Sequence, residues 1–164
     1  MANYLNRPSI FEIATAFEDG QEEEINKEKD GYKKTYGTLS NDEKSFVFRH
    51  PSLAYAFNNN ATKAKKAVEH FPNNEDGYGD AVRHCYWCAL NQVSAGYNSP
   101  LAKEFGDAHE NTPTNKPNAK KMDLHNNSIG YSLGNEAIKN NWNEEELLNN
   151  VINAANNGKL YMLK

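Results

Sequence analysis

Apolar residues fall at helical spacings along most of this chain, and no segment alternates apolar and polar residues long enough to build a sheet. Ser9 caps a first amphipathic segment carrying Ile10, Ile13, Ala14 and Phe17, and a charged stretch over 21–34 follows. Ser40-Asn41-Asp42-Glu43 reads as a capping box, with Phe46 and Val47 on the apolar side of its helix. Pro51 restarts the chain, and Leu53, Ala54 and Phe57 extend the apolar face. The run Asn58-Asn59-Asn60 should weaken that helix before a Lys-rich one over 61–70. Residues 73–79, rich in Gly, Asn and Asp, read as a loop.

A strong helix is expected over 79–95, stopped by Gly96. Ser99-Pro100 opens another that reaches Glu110, and the proline-containing segment 112–118 is a loop. A long helix should cover 119–140, although Gly130 and Gly134 weaken its second half. Asn143-Glu144-Glu145-Glu146 starts a last helix with Leu147, Leu148, Val151, Ile152 and Ala155 inward, ending at Gly158. The pattern predicts an all-α fold, one domain over 1–164 built as a bundle of roughly six to eight helices.

The helix over 79–95 has two inner faces. Val82, Cys85, Tyr86, Ala89 and Val93 share one side; Asp80, His84, Trp87, Cys88, Asn91 and Ala95 share the other. The second side carries Trp and Cys but no Lys or Glu, so it is not an ordinary solvent face. Buried on both sides, such a helix needs polar partners from elsewhere in the chain.

Composition narrows the class. The formal net charge of −4 disfavours nucleic acid and anionic membranes as partners. The clusters Lys63/Lys65/Lys66 and Lys116/Lys120/Lys121 read as solvated helix faces. A nucleic-acid-processing role through the second cluster is a weaker third reading. No basic-then-apolar leader opens the chain and no apolar run reaches membrane-spanning length, so a soluble, cytoplasmic protein is the expectation, with non-classical export left open. Asn is about 15% of the residues, which fits an AT-rich bacterial coding bias. Cys85 and Cys88 lie mid-helix and project to different sides, which argues against redox or zinc-thiolate chemistry.

Three short segments hold the chemistry: Asp80 to Trp87, Asp107 to Glu110, and Met122 to Asn127. Asp80 and His84 are four apart, as are Asp123 and Asn127, so each pair projects from one helical face. Asp80, His84 and Asp123 form a candidate metal set. Zinc would suit mixed His/Asp ligands, and magnesium or manganese a carboxylate-dominated site. The same residues would equally build a metal-free hydrogen-bond network, since no zinc-protease spacing is present. His109 and Glu110 read as an acid/base pair, or as a helix C-terminal cap, with His84 as a third catalytic candidate. Arg83 could clamp a carboxylate or phosphate, or pair with a buried acid. Trp87, Asn126 and Asn127 complete the substrate-binding candidates.

In order and content, these segments resemble an uncharacterised bacterial family of helical domains with the patterns Asp-Ala-x-Arg-His-x-x-Trp, Asp-Ala-His-Glu and Met-Asp-x-x-Asn-Asn-x-x-Gly. The matching positions are Asp80, Arg83, His84 and Trp87; Asp107, His109 and Glu110; and Asp123, Asn126, Asn127 and Gly130. The likeness covers residues 80–134, the motif-bearing core. It implies a small helical domain found alone or at the ends of larger bacterial proteins, some exported or toxin-like, and it brings no established activity. His125 lies outside the pattern.

The resulting expectation is a small hydrolase, metal-assisted, acting on a phosphoester or pyrophosphate bond of a nucleotide or nucleic-acid type substrate. The alternative is a non-catalytic structural or interaction domain whose polar core specifies packing. Oligomeric state is not legible from the chain.

Overall fold

The computed structural model describes residues 39–72, 75–111 and 116–163. The expected helix behind Ser9 and the charged stretch 21–34 lie outside the described residues. Within them the fold is all-α, built from six helices: α1 (Asn41–Arg49), α2 (Pro51–Ala67), α3 (Tyr78–Ala95), α4 (Leu101–Glu110), α5 (Pro117–Asn140) and α6 (Glu144–Asn156).

The helix boundaries follow local chemistry. At α1, Ser40 Oγ accepts from the Glu43 amide (3.2 Å) while Glu43 Oε2 accepts from the Ser40 amide (2.7 Å), the reciprocal capping box. Asn143 and Glu146 repeat it at α6. Gly96, at φ +102°, ends α3 in a conformation that side chains avoid.

The long helix α5 starts at Pro117, inside the expected loop, and expectations for α2 and α3 also need correction. α2 runs unbroken from Pro51 to Ala67 instead of failing at the asparagines. Asn60 faces inward, where its Nδ2 donates to Asn91 Oδ1 and Ser94 Oγ, both at 3.0 Å. Tertiary pairing thus overrides the weak helical propensity of asparagine. Val93, expected in the core stripe of α3, is 42% exposed. It falls in the last turn of α3, on the rim of a surface pocket shared with Trp142 and Leu147.

α3 is the central element, packed against α2, α4, α5 and α6. Every residue from Gly79 to Gln92 is buried except Arg83. Its closest neighbour is α5, and the two run parallel: Gly130 meets the Cys85–Cys88 turn and Gly134 meets Ala89 and Gln92. A Cβ at Gly130 would lie 2.3 Å from the Cys85 carbonyl oxygen, and one at Gly134 2.6 Å from that of Ala89. Only glycine allows this approach, which brings Asp123 of α5 beside Asp80 and His84 of α3.

An aromatic cluster of Phe46, Phe57, Trp87 and Phe105 fills the space between α1, α2, α3 and α4. The C-terminal tail folds back over α5, with Leu160 buried and the Leu163 amide bonded to the Asp76 carbonyl (2.8 Å). No helix among the described residues is long and apolar enough to cross a membrane.

Candidate functional site

Asp80, His84, Glu110 and Asp123, drawn from α3, α4 and α5, converge on one buried point. His84 stands at its centre. Its Nε2 lies 3.4 Å from Asp80 Oδ1 and 3.5 Å from Asp123 Oδ1, and its Nδ1 lies 3.6 Å from Glu110 Oε1. One ligand atom each from Asp80, His84 and Asp123 all fall within 4.8 Å of one another.

Arg83 closes the cluster on the solvent side. Its Nη2 donates to Asp80 Oδ1 and to His84 Nε2, the latter at 2.6 Å. An Nε2 that accepts from a guanidinium carries no proton, so the ring hydrogen resides on Nδ1, toward Glu110. Burial likewise drives the His84 pKa down, with the Asp80 hydrogen bond opposing and the Arg83 charge adding to the fall. A neutral imidazole is the form in which histidine ligates metal.

The two aspartates behave differently. Burial opposes ionisation of Asp80, but its partners His84 and Arg83 outweigh that and hold it well below the usual carboxylate range. Asp123 is pushed up to about 6, by burial first and then by the charges of Glu110 and Asp80, with His84 opposing. Asp123 Oδ1 accepts no hydrogen bond among the described residues. Asp123 Oδ1 therefore faces His84 Nε2, an acceptor whose donor is Arg83, with no donor of its own. That arrangement calls for a proton or a cation.

A second pair sits beside the first. His109 Nδ1 donates to Glu43 Oε1 at 2.8 Å, and the His109 ring packs edge-on against Trp87 with centroids 5.0 Å apart. The Glu43 carboxylate is buried while the His109 side chain is 46% exposed, so a buried acid orients an accessible imidazole. Burial works against the charge on each. Even so, the hydrogen bond between them raises the His109 pKa and lowers that of Glu43. The charges of Glu110 and Arg83 also act on His109, which places the two pairs in one electrostatic neighbourhood.

The expected His109–Glu110 pair does not form. At adjacent positions on α4 the two side chains diverge: Glu110 turns inward behind His84, and His109 turns toward α1. Glu43 is the residue that sequence reasoning missed; its capping-box position is visible, but its partner lies 66 residues away.

The other candidates separate clearly. Trp87 is a buried wall, its Nε1 donating to the Phe57 carbonyl at 3.1 Å. Asn126 faces away from the cluster and clips the tail, its Nδ2 donating to the Tyr161 carbonyl (2.9 Å) and its Oδ1 accepting from the Tyr161 amide (2.8 Å). Asn127 is 1% exposed, and neither its Nδ2 nor its Oδ1 finds a hydrogen-bond partner among the described residues. Asp107 pairs with Lys103 on the exposed face of α4, and His125 Nε2 bonds the Lys159 carbonyl (2.9 Å). Cys85 and Cys88 are buried free thiols, and burial pushes Cys85 up to about 12 and Cys88 also far up. Neither is primed for redox chemistry.

A cleft of about 650 Å³ lies between α1, α4 and α5, walled by Asp42, Phe46, Asp107, Ala108, Asn111 and Leu124 among others. It is flanked by the helices that carry Glu43, His109 and Asp123, although the Asp80–His84–Asp123 cluster does not line it.

No curated protein and no solved structure matches the chain. A family model described as a domain of unknown function does match, over residues 44–159, a span that contains all three motif segments and every residue of the buried cluster. The chain belongs to this family, DUF6973.

Proposed function

We propose that the protein is a small metal-assisted hydrolase of phosphoester or pyrophosphate bonds, with a divalent cation held by Asp80, His84 and Asp123. The observation that carries this reading is the spacing of the ligand atoms. Ligands about 2.0–2.2 Å from a zinc ion stand roughly 3.3–3.6 Å apart at the corners of a tetrahedron. The 3.4 and 3.5 Å separations around His84 Nε2 are edges of that size, and all three ligand atoms lie within 4.8 Å of one another. Glu110, 3.6 Å from Nδ1, would supply the carboxylate that orients the imidazole once a metal is bound. Three protein ligands leave a position for water; magnesium or manganese in the same place would retain more waters.

When bound, the ion would lower the pKa of its water and polarise a phosphoryl oxygen. His109, held by Glu43 with a raised pKa, is suited to give a proton to the leaving oxygen as its bond to phosphorus breaks. Arg83 and the unbonded amide of Asn127 would steady the substrate's charged oxygens. Glu110 acts through His84 and does not touch substrate.

The test is turnover of a panel of phosphoesters and pyrophosphates by metal-free, Zn²⁺-, Mn²⁺- and Mg²⁺-loaded protein. His84→Ala should abolish turnover, and His109→Ala should lower kcat by about 10²–10⁴-fold with the metal retained. Absence of turnover in every metal state would end the hydrolase reading.

A second reading is favoured by the closure of the cluster. Asp80, His84, Glu110 and Asp123 are all buried, and the 650 Å³ cleft is not lined by the three metal candidates. A non-catalytic domain would use this network only to fix packing. In that case His84→Ala lowers the melting temperature and no divalent ion raises it.

A further inference from the structure

Arg83 is the only residue between Gly79 and Gln92 that is not buried, and its side chain remains 28% exposed. Yet its Nη2 sits on Asp80 Oδ1 and His84 Nε2, two of the three atoms that would ligate the cation. A guanidinium nitrogen and a metal ion cannot both occupy that position. They carry like charge and would compete for the same lone pairs.

We propose that Arg83 is an internal stand-in for the divalent cation: metal binding displaces its guanidinium, and the released fork becomes the anchor for a phosphate-class oxyanion beside the metal. The inference rests on the metal reading above and adds an order of events to it. Without metal, Arg83 neutralises the cluster, Asp80 foremost, and is unavailable to a ligand. With metal, the cluster has its own cation, and a planar five-donor side chain anchored one residue from His84 is free at the site entrance. Its partial exposure gives it room to turn outward, which the buried residues on either side of it lack. Metal and anion binding are therefore coupled, and the coupling is reciprocal.

The experiment compares wild type with Arg83→Met and Arg83→Gln, each stripped of metal and titrated with Zn²⁺ or Mn²⁺, whichever the wild type takes up, in the presence and absence of inorganic phosphate. Both variants should bind the ion about tenfold or more tightly than wild type, because no side chain has to be displaced. Phosphate should tighten ion binding several-fold in wild type and leave the variants unchanged. As a check that needs no variant, the Arg83 Nε–Hε resonance of wild type should move to the position of a solvated arginine when Zn²⁺ is added. Equal or weaker ion binding by the variants, or an Arg83 resonance that stays in place, overturns the displacement while the metal site stands. Tighter ion binding with no phosphate effect in wild type overturns the anion role. Failure of wild type and both variants to take up any ion removes the metal reading and this inference together.

Discussion

Glu43 Oε1 accepts a 2.8 Å hydrogen bond from His109 Nδ1, tying the first turn of α1 to the last turn of α4. The same carboxylate caps α1 through Oε2 and the Ser40 amide. One side chain thus starts a helix and orients an imidazole.

The pair makes stability depend on pH in a defined window. The His109 pKa is raised from 6.5, so its contribution is complete below 6.5 and disappears as pH rises through the folded value. The Glu43 pKa is lowered from 4.5, so its contribution is complete above 4.5 and disappears as pH falls through the folded value. Thermal melts of wild type and Glu43→Gln should therefore differ most between pH 4.5 and 6.5, converge as pH falls, and keep a smaller difference as pH rises, where the Ser40 bonds of Glu43 remain. A difference independent of pH would mean that the glutamate acts only as a helix cap.

Asp123 carries a cost. With its pKa pushed up from 3.8 to about 6, the ionised form destabilises the metal-free fold, an effect absent below pH 3.8 and fully felt above about 6. Asp123→Asn should stabilise metal-free protein at pH 7 by on the order of 2 kcal/mol in urea unfolding. It should also abolish gain in melting temperature on adding metal. A variant less stable than wild type would show that the carboxylate is well paired as it stands.

Gly130 and Gly134 set the approach of α5 to α3. An alanine Cβ at Gly130 would meet the Cys85 oxygen at 2.3 Å and Cys88 Cβ at 2.9 Å, atoms of a helix that cannot yield locally. Gly130→Ala should cost about 1–3 kcal/mol or more and, by moving Asp123 away from His84, weaken metal binding as well. Chemical unfolding read beside metal affinity checks both effects.

Asn126→Ala should separate tail from site. Loss of both bonds to Tyr161 should cost about 1–3 kcal/mol and speed exchange of the Tyr161 amide. Metal affinity should be unchanged. Altered affinity would return Asn126 to the site.

Most helix ends were legible because their signals are local: the Ser40 capping box, the acidic start after Asn143, Gly96 and Gly158 at ends, and Pro51 and Pro100 at starts. Asp80, His84 and Asp123 were legible as a set because i, i+4 spacing and the absence of Lys and Glu mark a polar face that must be buried. Pairing across the chain was not. Nothing near Glu110 distinguishes a residue aimed at its neighbour's substrate from one aimed at His84 on another helix. Asn60 likewise looks like a helix breaker until Asn91 and Ser94 are brought against it. Asn126 and Asn127 are adjacent and chemically identical, and only the returning tail divides their roles.

Calorimetric titration of divalent cations into metal-free protein examines the central cluster most directly. One ion should bind per chain, with binding lost in Asp80→Asn, His84→Ala and Asp123→Asn and kept in His109→Ala and Asn126→Ala. Absence of uptake by folded wild-type protein, or uptake undiminished by the first three substitutions, would contradict a metal centre at His84.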